Sequence, residues 1–111
     1  VLNTIGTNNT AIGLNSLYYN TTGSYNTAVG RSSLQSNIIG VSNSAFGFYA
    51  LLSNTTGNNN DAIGYNFMYS NTTGGQNTAV GRSALQNNTI GIQNTEYVNM
   101  DSMEQVINMF L

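Results

Sequence analysis

The stretch from Asn77 to Gly91 reads N-T-A-V-G-R-S-A-L-Q-N-N-T-I-G, and with Ile92 and Gln93 it makes a unit of 17 residues. Counting back by 17 finds the same unit at Asn60, Asn43, Asn26 and Asn9, and Asn3-Thr4-Ile5-Gly6 is the tail of an earlier one. Asn94 opens a decayed unit, with Glu96 where the others have Ala and Val98 where they have Gly. A strict period in this range marks a solenoid, in which each unit stacks on its neighbours.

Glycine falls in two columns: Gly13, Gly30, Gly47, Gly64 and Gly81, and Gly6, Gly23, Gly40, Gly57, Gly74 and Gly91. Gly75 alone lies outside them. A backbone position that repeatedly needs positive φ accounts for such columns. Two corners per unit are therefore predicted, with Gly47 and Gly57 in glycine-specific conformations. Asparagine also falls in two columns, one from Asn9 to Asn94, the other Asn3, Asn20, Asn37, Asn54, Asn71 and Asn88. Stacked Asn side chains form hydrogen-bonded ladders, and Asn is also a good turn residue; ladders at the corners satisfy both readings.

Two short segments lie between the corners. One holds Ala11-Ile12, Ala28-Val29, Ala45-Phe46, Ala62-Ile63 and Ala79-Val80; the other centres on Leu17, Leu34, Leu51, Met68 and Leu85. Each is too short for a helix and long enough for a β-rung. The expected interior is the aliphatic column, Ile12 to Val80, facing the leucine column, with the alanines turned the other way. Gly30 to Gln35 returns as Gly81 to Gln86 three units later, a longer rhythm over the short one.

The reading is an all-β, single-stranded parallel β-solenoid with 17-residue rungs over residues 1–98, and a C-terminal helix within 99–111. Asp101-Ser102-Met103-Glu104 fits a capping box, and Met103, Val106, Ile107, Phe110 and Leu111 follow at helical spacing. Such a helix either caps the last rung or begins a coiled-coil stalk. The chain opens at Val1 in mid-unit, as a fragment or processed product would, with no visible signal peptide.

Composition narrows the function. The 111 residues hold two Arg, no Lys, no His, no Cys and four acids. A basic groove for nucleic acid is excluded. The usual catalytic bases and metal ligands are missing and the acids form no pair, so neither enzymatic activity nor a cofactor or metal is expected. No run suits membrane insertion. The candidate contact residues are Arg31 and Arg82, three units apart in one column, and Tyr18, Tyr19, Tyr49, Tyr65 and Tyr69, which sit where the repeat varies. Tyrosine there offers flat area and a hydroxyl at low entropic cost. The arginines fit a partner carboxylate or acidic sugar, or simple solvation. N-x-T sequons stand at Asn8, Asn20, Asn54, Asn71 and Asn87.

The N-T-A-[IV]-G and N-T-T-G strings resemble the head repeat of YadA-like trimeric autotransporter adhesins, N-S-V-A-I-G, and related N-T-A-I-G arrays of phage and viral tail-fibre-like proteins. The resemblance runs from Asn3 to about Thr95, with a longer unit and Ala in place of Val. It implies a left-handed β-roll, three chains about one axis, and an adhesive fibre outside the cell or on a virion, contacting a host receptor or glycan. Burial independently asks for a partner: Leu14, Tyr18, Phe48, Leu52, Tyr65 and Phe67 would otherwise form a large exposed apolar set. Two other classes compete. The column of Thr10, Thr27 and Thr78 suggests an ice-binding face, broken by Ser44 and Asp61; the asparagine content suggests a self-assembling filament.

Overall fold

The computed structural model describes residues 5–98. Six strands of three residues each, β1 (Thr10–Ile12), β2 (Thr27–Val29), β3 (Ser44–Phe46), β4 (Asp61–Ile63), β5 (Thr78–Val80) and β6 (Thr95–Tyr97), form one parallel sheet in chain order. The register offset equals the period, so Ala11 pairs with Ala28 and Ala28 with Ala45, and so on up the stack. The protein is a β-solenoid of about five turns with no helix among the described residues. The expected C-terminal helix lies outside them. The unit opened by Asn94 keeps its strand: β6 pairs with β5, Glu96 opposite Ala79.

The inside and outside of the strand are the reverse of the sequence-based expectation. Ala28, Ala45, Ala62 and Ala79 are fully buried, whereas Ile12, Phe46 and Ile63 are exposed and Val29 and Val80 only half-buried. Alternation explains the result. Asn26 and Ala28 share one face of the strand, Thr27 and Val29 the other, and the first pair is the one that closes the interior. That interior is narrow. The second inward column is Ser16, Ser33, Ala50, Phe67 and Ala84, all buried and mostly small. Phe67 is the exception and does not join the exposed apolar set; a Cβ at Gly64 would collide with its ring. Leu17, Leu34, Leu51 and Met68 fill the rest, as expected, with Leu85 partly buried.

The leucine segment is not a second strand. It is a run of turns in which Leu17, Leu34, Leu51, Met68 and Leu85 have φ between 46° and 52°. Asn15, Ser32, Tyr49, Asn66 and Ser83, two residues earlier, have φ between 58° and 63°. Left-handed backbone costs an L-residue about 1–2 kcal/mol. Here it aims leucine inward while the backbone still bonds to the next rung: Leu34 N donates to Ala50 O at 2.9 Å and Ser36 N to Leu52 O at 3.1 Å. Burial of a leucine, worth roughly 1.5–3 kcal/mol, offsets that strain.

The two glycine columns exist for different reasons. Gly13, Gly30, Gly47, Gly64 and Gly81 hold φ of 108° to 131°, as predicted. Gly57 does not adopt positive φ, contrary to expectation. Its column is glycine because an added Cβ would collide with the Gly74 carbonyl and the Asn54 side chain. Both asparagine columns close on that spot. The Gly57 carbonyl accepts from Asn43 Nδ2 at 2.8 Å and from Asn54 Nδ2 at 3.0 Å. Asn54 Nδ2 also donates to Asn37 Oδ1 at 2.9 Å, and Asn54 Oδ1 accepts from Asn71 at 2.9 Å. The other column repeats this, with Asn60 N and Nδ2 both donating to Asn43 Oδ1. The expected ladders are therefore present, at the corner and inside.

Glu96 has a role beyond interrupting the alanine column. In earlier rungs the amide of the leucine column donates to the carbonyl of the next rung, as Met68 N does to Ala84 O. Leu85 N instead donates to Glu96 Oε2 at 2.6 Å. The carboxylate takes the place of the next rung's carbonyl at the top of the ladder.

Candidate ligand-contact column

In the first five rungs the residue after the first corner glycine forms the column Leu14, Arg31, Phe48, Tyr65 and Arg82, exposed except for the half-buried Phe48. Register places each over the last at the spacing of paired strands. Phe48 and Tyr65 stack with ring centroids 5.3 Å apart and planes 4° apart. The Arg31 guanidinium lies 5.8 Å from the Phe48 ring centre, and that of Arg82 lies 5.5 Å from Tyr65. The three-unit rhythm of the sequence thus brackets two aromatic rings between two cations. Each cation–π contact at such an exposed site contributes about 0.5–1 kcal/mol. No carboxylate pairs with either guanidinium among the described residues.

Tyr49 and Tyr69 belong to the same cluster. Tyr49 lies 3.8 Å from Phe48 between ring centres and meets Tyr69 edge-on at 6.0 Å. Tyr18 and Tyr19 form a separate edge-to-face pair at 4.9 Å. Of the candidate contact residues, five therefore gather around Phe48 (Arg31, Tyr49, Tyr65, Tyr69 and Arg82), while Tyr18 and Tyr19 stand apart. Phe48 was missing from that set, although its distance of one period from Arg31 and Tyr65 places it there.

The outward face of the sheet carries a second feature. Ile12, Val29, Phe46, Ile63, Val80 and Tyr97 form an unbroken apolar stripe, beside Thr10, Thr27, Ser44, Asp61, Thr78 and Thr95. Among the sequons, Asn20, Asn54 and Asn71 are fully buried in the ladder and closed to glycosylation in the folded chain; Asn8 and Asn87 are exposed. Among the described residues, no group of three or more His, Cys, Asp or Glu could hold a metal, and no helix is long and apolar enough to cross a membrane.

The sequence matches no protein-family model, no curated protein and no solved structure.

Proposed function

We propose that this chain is a structural and adhesive segment of a surface-displayed fibre, three copies of a left-handed β-roll about one axis, outside the cell or on a virion. The observation that carries the reading is the apolar stripe from Ile12 to Tyr97, six rungs long on the open face of the sheet. An uninterrupted apolar face of this kind suits burial against a neighbouring chain. The stacked rungs supply rigidity, and the cluster of Arg31, Phe48, Tyr65 and Arg82 supplies a contact for a host receptor or glycan. Light scattering tests the assembly: a trimer mass with full β structure is expected, and a folded monomer at micromolar concentration overturns it.

One observation favours a second reading. Thr10, Thr27, Thr78 and Thr95 do point outward in register, as an ice-binding plane requires, though Ser44 and Asp61 interrupt them. Thermal hysteresis in the purified chain would replace the fibre reading with that one.

A further inference from the structure

Gly75 is the glycine that the repeat does not call for. Its column reads Thr7, Ser24, Val41, Asn58, Gly75 and Ile92, so five rungs place a side chain where this one places none. Gly75 has no positive φ to justify it. An added Cβ would lie 3.0 Å from the Asn58 carbonyl oxygen and 3.8 Å from its nitrogen, so the missing side chain opens a notch against that peptide. The notch is about 230 Å³, lined by Asn58, Asn59, Thr73, Gly75, Gln76 and Ile92.

Where this column holds Ser24 or Asn58, the side chain accepts from the backbone of the rung before, whereas Val41, Gly75 and Ile92 offer no such acceptor. Thr7 N donates to Ser24 Oγ at 3.0 Å, and Val41 N donates to Asn58 Oδ1 at 2.7 Å. Asn58 N would find its acceptor on residue 75 and meets a glycine. A backbone donor is thus left at the floor of the notch. The walls hold amides and a hydroxyl, which both donate and accept, and Ile92 supplies one apolar side. No ionic group lines the notch.

We propose that this notch binds one ring of a neutral saccharide, as the terminal residue of a glycan. Sugar hydroxyls match groups that donate and accept in turn, an apolar wall suits the C–H face of the ring, and the volume admits one ring. Anions lack a cation here, and metals lack a carboxylate. The proposal deepens the adhesive reading by naming a ligand and its place, yet it is tested on the isolated chain, whatever its oligomeric state.

The experiment is a titration of ¹⁵N-labelled protein with methyl glycosides of glucose, galactose and N-acetylglucosamine, and with a short oligosaccharide ending in the best of them. Saturable shifts centred on Asn58, Asn59 and Gln76 are expected, with a dissociation constant on the order of millimolar for a single ring. Gly75→Ser restores the residue type of Ser24, which supplies the acceptor and fills the notch; affinity should fall by about tenfold or more, a loss near 1.4 kcal/mol. Ile92→Thr, which copies Thr7, should weaken binding without disturbing the rungs. No saturable shift with any sugar overturns the proposal, as do shifts centred on Phe48 and Tyr65, or full affinity in folded Gly75→Ser. Failure here with an intact trimer leaves the fibre reading standing; binding by a chain that proves monomeric leaves the notch standing without the fibre.

Discussion

At the residue scale, the demands on asparagine and glycine differ from what the residue types alone suggest. Asn54 uses both faces of its amide: Nδ2 donates to Asn37 and to the Gly57 carbonyl, and Oδ1 accepts from Asn71. Asn54→Ala leaves several buried groups unpaired, at about 1–3 kcal/mol each. Asn54→Asp is nearly isosteric but loses both donated bonds and buries a charge, so it should destabilise more than alanine does, as urea denaturation would show. Gly47→Ala and Gly57→Ala should both destabilise beyond an ordinary surface change, for separate causes. The first forces a side chain to φ 131° and into the Gly64 carbonyl; the second meets only a steric collision, with the Asn54 side chain and the Gly74 carbonyl. D-alanine, introduced by chemical synthesis, distinguishes them. It suits the positive φ of position 47 and should rescue there; at position 57 it escapes the collision of the L side chain but meets a backbone that favours L-residues, so the gain should be smaller. Both columns were legible as glycine from period alone. Their separate causes were not, because spacing reports that a position is special and says nothing of whether torsion or space makes it so.

At the element scale, the three-residue strand has only one residue, the alanine, to turn inward. Size suggested Ile12 or Phe46 as core, since a buried aliphatic contributes more than a buried alanine. The other inward column is small as well, apart from Phe67, so the walls of the rung lie close together, and that narrowness was visible only once both segments were placed. The turn segment was hidden for a related reason: leucine and serine in left-handed backbone carry no sequence mark, as glycine does. The stacked rungs, the leucine interior and the asparagine ladders were legible from the period. The Arg–aromatic column was legible in principle, since Arg31, Phe48, Tyr65 and Arg82 are spaced by 17, but residue type drew attention to the tyrosines instead. The strand orientation makes a paired prediction. Leu51→Ala, at a fully buried site, should cost about 2–5 kcal/mol. Phe46→Ala, 40% exposed, should cost the isolated rung stack about 0.5 kcal/mol or less. Denaturation at concentrations where the chain is monomeric, compared between the two variants, checks the assignment; equal losses would restore the aliphatic column to the core.

At the scale of the whole molecule, the interior is thin. Among the described residues its largest buried side chains are one Phe, three Leu, one Met and a series of asparagines, so apolar burial there is limited. Meanwhile Ile12, Phe46, Ile63 and Tyr97 stay exposed along one line, which at the roughly 4.8 Å spacing of paired strands is about 24 Å long. A second stripe with the same spacing can mesh with it rung for rung, and cyclic symmetry repeats that contact on every copy without leaving an edge. The chain's six formal charges are too few to hold such an assembly, so its contacts should be apolar and little affected by salt. Ile63→Lys places a charge mid-stripe while sparing Ala62 and the asparagine ladders. The expected outcome is a folded monomer: unchanged β signal by circular dichroism, and a mass reduced to one chain by light scattering. Ile63→Thr, which keeps the face compact and β-branched, should associate more weakly than the parent chain and more strongly than the lysine variant. A lysine variant that keeps the parent's mass moves the interface to another face. A parent chain that is already a folded monomer removes the association altogether, and a dimer keeps the stripe as an interface while ending the threefold fibre.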